Sequence, residues 1–347
     1  MGWQLRAATV GAAMAAIALV PGAGTAQQEE EPVLCAGRRA TIVGTPHHDD
    51  LAGTALADVI AARGGNDTVE GNSGNDIICL GPGNDIGAGD GDNDLIFGGP
   101  GRDTISVGDY SNFYCGDEDE FHGGRDNDSL SGTNQCLATD LYGDDGEDFL
   151  KDGSTEYGGS DDDTLDGGAG PNEMYGEEGD DELDGGGGDD IEHGGDGDDH
   201  IDGDRGLDHM YGGEQSDILV GGDRGDFLYG GPSGDVINGG DGNDRVSGGD
   251  GDDNHLYGNT GNDRVYGGPG EDHLKGGDGD DKMFGLVGDD TLHGNNGEDR
   301  MFGGPNRDTL KGGFGRDHLF GGPGVDEARG GVGRDHCEAE FEISCRT

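Results

Sequence analysis

A nine-residue period constrains this chain more than any other feature. Residues 194–202 read Gly-Gly-Asp-Gly-Asp-Asp-His-Ile-Asp, and the pattern Gly-Gly-x-Gly-x-Asp-x-U-x, with U apolar, recurs along most of the sequence. A unit this short cannot enclose an apolar side chain alone, so its copies must stack. From Gly158 to Glu338 the chain divides into twenty units with one inserted residue. Position 6 runs Asp163, Asn172, Asp181, Asp190, Asp199, Asp208, Asp217, Asp226, Asp235, Asp244, Asp253, Asp263, Asp272, Asp281, Asp290, Asp299, Asp308, Asp317 and on to Asp335. Position 8 runs Leu165, Met174, Leu183, Ile201, Met210, Leu219, Leu228, Ile237 and Val246. Glu192 interrupts the apolar series beside Ile191, which predicts a one-residue slip: Ile191 turns inward and His193 is the extra residue. A second bulge is expected at Asn254-His255, before Leu256.

The residue types give the unit its chemistry. Glycine at positions 1, 2 and 4 permits left-handed or strained backbone without a Cβ clash, which frees carbonyl oxygens to turn inward. Asp at position 6 adds a carboxylate. Calcium takes about six to eight hard oxygens at roughly 2.3–2.6 Å, so irregular carbonyl-rich cages suit it better than magnesium, which demands a tight octahedron. The last three residues suit a short strand whose middle side chain points to one face. Two units make one coil of about eighteen residues, and units two apart stack on the same edge at about 4.8 Å. The expected fold is all-β: a right-handed parallel β-roll, or β-helix solenoid, with ions between successive turns.

Composition sharpens the requirement. The chain has 80 glycines and a formal charge of −56, values that ordinarily mark disorder. One apolar side chain per nine residues is a small return against the entropy of ordering them. Stacked carboxylates also repel, by about 1 kcal/mol per neighbouring pair even in bulk water. Bound cations cancel that repulsion, so the chain is expected to be unfolded without calcium and folded with it. A solvated acidic tail has a similar composition but does not keep Asp in phase with an apolar residue two places later. The charge disfavours nucleic acid, whose binding needs cationic patches.

Ahead of the repeats, residues 1–26 read as a secretory signal: Arg6, an apolar stretch Ala7–Val20, and small residues ending at Ala26. Cleavage is expected after Ala26, an uncleaved anchor being the alternative; the stretch is short for a bilayer span. Residues 27–43 form an acidic linker. A smaller repeat block, 44–106, carries Asp49, Asp58, Asp67, Asp76, Asp85, Asp94 and Asp103 at position 6. Its position-8 residues are Leu51, Ile60, Val69, Ile78, Gly87, Ile96 and Ile105. The first two units lack glycine pairs and read as capping coils with weak or absent ion sites.

Residues 107–157 break the rhythm, although Gly123–Ser131 and Gly143–Lys151 still read as units. The stretch is either a loop-bearing distortion of one roll or a joint between two. It concentrates aromatics expected to be exposed and is the first choice for gripping a partner. The main roll spans 158–338, and 339–347 form a cap. Six cysteines allow fifteen pairings; sequential pairing gives Cys35–Cys79, Cys115–Cys136 and Cys337–Cys345. The last would lock Phe341 and Ile343 over the open end of the final coil. No short C-x-x-C pair points to zinc. Histidines such as His200, His209, His273 and His318 sit at position 7, facing solvent, without a metal-spaced cluster. Arg245, Arg264 and Arg300 at position 7 and Lys275 at position 9 damp the acidic field.

Together with Gly64-Gly65-Asn66-Asp67-Thr68-Val69 and Gly81-Pro82-Gly83-Asn84-Asp85, the repeats resemble the hemolysin-type (RTX) calcium-binding repeat family. The Ala-rich signal and the placement of Cys79 and Cys337 resemble secreted actinobacterial members. The resemblance implies a parallel β-roll with a calcium column on each edge. It also implies ligation by position-6 Asp from Asp67 to Asp103 and from Asp163 to Asp317, helped by glycine-turn carbonyls. Family members commonly carry an enzymatic or pore-forming segment, yet no H-E-x-x-H helix, G-x-S-x-G elbow or long apolar segment occurs here. The expected function is therefore that of a secreted, non-enzymatic calcium-binding protein with a structural, spacer or ion-buffering role. A calcium-dependent extracellular enzyme or toxin, or a surface adhesin, with its site in 107–157, is the alternative. Calcium ions are the one partner implied; no protein or surface partner is legible.

Overall fold

Each nonapeptide folds into one strand and one turn, and successive strands fall alternately into two parallel sheets. The computed structural model describes residues 32–108, 118–133, 138–343 and 345. The expected signal segment, and Cys115 with Cys136, lie outside those residues. The first sheet opens with Ile42–Val43, Val59–Ala61 and Ile77–Cys79 and ends with His318–Phe320 and His336–Glu338. The second opens with Asp50–Ala52 and Thr68–Glu70 and ends with Glu327–Gly333 and Phe341–Ile343. Among the described residues their terminal strands pair on one side only, so neither sheet closes on itself. Among the described residues each sheet has seventeen strands, a stack roughly 75 Å long at about 4.8 Å per coil.

The rhythm that falters in the sequence between 107 and 157 does not falter in the ladder. Thr104–Ser106 pairs with Ser129–Ser131, then Phe149–Lys151, then Thr164–Asp166. On the other face Leu95–Pro100 pairs with Glu118–Arg125, then Ala138–Asp145, then Thr155–Ser160. The two repeat blocks thus belong to one stack. Its N-terminal end is folded too, against the expectation of a linker: Leu34–Cys35 pairs antiparallel with Arg38–Arg39, and Cys35 is bonded to Cys79. This hairpin packs Cys35 against Ala61 and Ile77 on the outer face of the first sheet.

Alternation along each strand decides what is inside. In strands such as Arg245–Asp250 the position-8 side chain and the position-1 glycine of the next unit point inward, and their neighbours point out. Position 8 builds a single apolar column that includes Ile60, Val69, Ile96, Leu165, Ile201, Leu219, Val246, Leu292 and Leu319. Gly87 leaves a gap there, which Leu80, standing at position 1 of the same unit, fills. Asn254 is the expected extra residue: Asp253 and His255–Thr260 keep their places in the stack on either side of it.

Two expectations are corrected. Ile191 is 39% exposed and Glu192 is fully buried, so no slip occurs. Parallel partners on both sides hold the register, Ile191 between Glu173 and His209 and Glu192 between Met174 and Met210. A one-residue slip would turn a whole strand inside out, which costs more than one enclosed carboxyl group. Phe341 does not cover the open end. It continues the second sheet beside Glu327 and stays exposed, while Ala339 and Cys345, bonded to Cys337, pack against the core. Of the aromatics in 107–157, Tyr110, Phe113 and Tyr114 lie outside the described residues; Phe121 is in the core, Tyr142 and Tyr157 are stacked on one another, and Phe149 is exposed.

Backbone conformation explains the glycines at position 2. From Gly159 to Gly331 this position is left-handed, as at Gly213 (φ 124°), and Leu286 is forced into it with φ 80°. A side chain in that region costs roughly 1–2 kcal/mol, and Leu286 is largely exposed and packs little in return. Leu286→Gly is therefore expected to stabilise the folded protein by roughly 0.5–1 kcal/mol after the extra unfolded-state entropy is counted, measured by chemical denaturation in excess calcium.

Candidate metal columns

The position-6 Asp residues line the two edges of the stack as hydrogen-bonded ladders. In the first, each backbone N–H donates to Oδ1 of the Asp one coil later, at 2.6–3.0 Å, from Asp49 to Asp326, whose own N–H donates to Glu340 Oε2. This ladder gathers Asp67, Asp85, Asp103, Asp163, Asp181, Asp199, Asp217, Asp235, Asp253, Asp272, Asp290 and Asp308. The second runs from Asp58 through Asp76 and Asp94 to Asp119, and again from Asn172 through Asp190, Asp208, Asp226, Asp244, Asp263, Asp281, Asp299 and Asp317 to Asp335. Every expected ligand therefore falls on one column or the other.

Oδ1 is thus satisfied, and Oδ2 is not. In each of these expected ligands Oδ2 is buried without a hydrogen-bond partner. Buried polar atoms are rarely left so, and a repeated orphan aimed at one place points to an absent partner. Glycine at position 1 makes the room. A Cβ on Gly203 would lie 2.8 Å from Asp208 Oδ2 and 2.9 Å from the carbonyl oxygen of Gly221 in the next coil, so oxygens of adjacent coils converge on that space. Among the described residues no three His, Cys, Asp or Glu side chains close around one point. An ion on these columns must therefore draw on backbone carbonyls. Hard, irregular oxygen sets of this kind fit calcium.

The first coil differs as its sequence suggests. Asp49 Oδ2 accepts the N–H of Thr45 at 2.5 Å and its hydroxyl at 2.9 Å; Asp58 Oδ2 accepts those of Thr54 at 2.7 and 2.8 Å. Threonine takes the place that an ion would fill.

Other ladder members were not among the expected ligands. Asp128, Asp148, Asp326 and Asp335 have the same buried, unpartnered Oδ2, and Asp119 accepts the N–H of Asp94. The signal for Asp128 and Asp148 was present, since both occupy position 6 of recognisable units. The second column loses its carboxylates where Thr139 pairs with Asp119 and Ser154 and Asn172 follow. There a core residue, Glu156, turns its Oε1 to the N–H of Gly153 at 2.7 Å, and Asn172 Nδ2 donates to the Gly153 carbonyl at 2.5 Å. Burial pushes Glu156 up to about 8 and Glu192 well above the carboxylate range.

Position 9 holds a feature that the sequence reading missed. On the first sheet Phe97, His122, Tyr142, Tyr157, Tyr175, His193 and Tyr211 stack in one ladder with centroids 4.6–5.0 Å apart. Tyr266, Phe284, Phe302 and Phe320 form a second, at 5.0–5.1 Å. Such offset rings stabilise neighbouring coils.

A parallel β-roll with an oxygen-lined column on each edge is a calcium-binding repeat architecture. The chain belongs to the family of the RTX calcium-binding nonapeptide repeat, whose model matches residues 43–78, 52–87, 80–109, 157–192, 193–219, 220–254, 257–292, 275–310 and 302–337, more than half of the sequence. No curated protein matches it. Among the described residues no helix is long and apolar enough to cross a membrane.

The column carboxylates respond to burial first. It raises Asp94 to about 9, Asp163, Asp217 and Asp281 to about 8, and Asp226 and Asp235 to about 6, against the opposing pull of the backbone N–H. Neighbouring Asp residues add to the rise at Asp217 and Asp281. A carboxyl group with a folded pKa above its unfolded value of 3.8 stabilises the fold below 3.8 and loses that contribution as pH rises through the raised value. The metal-free chain is thus expected to gain strand signal in circular dichroism as pH falls from 8 to 5, protons standing in for cations.

Proposed function

We propose that this protein is a secreted, non-enzymatic calcium-binding protein that folds cooperatively as calcium fills both columns. Its role is that of an extracellular structural element, a stiff spacer or an ion buffer. The carrying observation is the run of buried, unpartnered Oδ2 atoms, many of them beside a glycine carbonyl of the next coil, as Asp199 beside Gly212 and Asp208 beside Gly221. The residues that hold calcium are the ladder Asp side chains from Asp67 to Asp335, with position-1 carbonyls supplying the remaining oxygens. Secretion is supported by the signal-like residues 1–26, by two disulfides and by a millimolar extracellular calcium supply, which matches weak, numerous sites.

The chain's own residues divide the work. Asp holds the ion, glycine leaves it space, and the apolar column with the aromatic ladders sets the coil spacing at which ligands from two coils meet. A far-UV calcium titration at pH 8 tests this. The metal-stripped chain is expected to lack strand signal and to regain it over a steep calcium range, with magnesium failing at equal concentration. Asp217→Ala should raise the calcium midpoint, whereas Asp49→Ala, at a carboxylate already taken by Thr45, should leave it within about twofold. A spectrum indifferent to chelator and calcium would reject the proposal.

A further inference from the structure

Glu192 stands where neighbouring coils of its sheet carry Met174 and Met210 in the core. It is fully enclosed, and neither carboxylate oxygen has a hydrogen-bond partner. A carboxylate in such a place is strongly unfavourable unless something compensates it. Its direction shows what does. The point that a Cβ on Gly185 would occupy lies 2.6 Å from Glu192 Oε1, 3.0 Å from Asp190 Oδ2 and 3.2 Å from the Gly203 carbonyl oxygen. The last two are the pair that converges in a regular turn of the roll. Glu192 adds a third oxygen from the core side.

Its place along the column gives that oxygen a purpose. Asn172, one coil earlier, brings a neutral amide to the ladder, so Asp190 is the first carboxylate of the run that continues to Asp335. An ion at that end receives no acidic side chain from the preceding coil, and Glu192 makes up the charge. Glu156, two coils away in the same sheet, is different: its Oε1 is held by the Gly153 N–H in a shortened turn where Ser154 stands in place of the ladder Asp. We infer that Glu192 is a calcium ligand reaching the second column from the core. With Asp190 and the Gly203 carbonyl it anchors the first ion of that run, outside the repeat's own ligand pattern. The inference rests on the calcium reading above.

Hydrogen exchange followed by mass spectrometry on the full chain, in saturating calcium, separates the possibilities. In Glu192→Met and Glu192→Gln the amides of 185–203 should exchange roughly tenfold faster than in the unsubstituted protein, and those of 281–299 unchanged. Methionine matches the flanking core residues, so if Glu192 were merely an enclosed neutral acid, Glu192→Met would slow exchange or leave it alone. Either result would overturn the inference. Crystals of the unsubstituted protein grown with terbium should show an anomalous peak about 2.3–2.6 Å from Glu192 Oε1; a peak held by Asp190 and Gly203 alone would also overturn it. If calcium protects no part of the unsubstituted chain, the calcium reading itself fails, and that outcome is distinct from the others.

Discussion

Repulsion between carboxylates stacked one coil apart governs everything else in this molecule. At about 4.8 Å, and an effective dielectric of about 20, two ionised neighbours repel by roughly 3–4 kcal/mol. One buried apolar side chain returns only about 2 kcal/mol. A column such as Asp199, Asp217, Asp235 and Asp253 therefore cannot remain ionised and unscreened while the coils stay stacked. The fold satisfies half of each carboxylate internally, by the N–H of the coil before, and leaves the other half facing the next coil. Protons or cations must meet that half, and at neutral pH and millimolar calcium the cation is the better supplied.

Departures from the repeat fall where this constraint is relaxed. Thr45 and Thr54 neutralise the demand of the first coil with their own hydrogen-bond donors. Thr139, Ser154 and Asn172 remove carboxylates in the middle of the second column, and the coil from Asp148 to Asp163 is shortened there. Glu156 and Glu192 return acidic groups to the same edge from the core. The stack thus tolerates local loss of charge if the oxygen balance is restored by another element. Strand pairing and the stacked rings continue through this region without a break.

Much of this was legible in the sequence because one period carries both the strand and the ligand. Asp at position 6 two places before an apolar residue predicts which side chain enters the core and which reaches the edge, as at Asp199 and Ile201. The errors arise where one residue was judged by its type alone. Ile191 is more apolar than Glu192, yet the pairing of two neighbouring strands outweighs that preference. Phe341 looks like a lid, but its strand is extended by the sheet below it. The aromatic ladders escaped notice because residues one coil apart in space lie about eighteen apart in sequence. Tyr157 and Tyr175 meet only when alternate units are compared. The rhythm of residues 107–157 breaks in sequence because successive ladder positions there lie 25, 20 and 15 residues apart, while Asp128 and Asp148 keep their place on the edge.

Small-angle scattering of the metal-stripped chain at pH 8, before and after calcium, tests the central claim most directly. The account predicts an expanded chain, with a radius of gyration of roughly 65 Å, that contracts to a rod of roughly 25 Å when calcium is added. A metal-stripped chain that already scatters as the compact rod would contradict it.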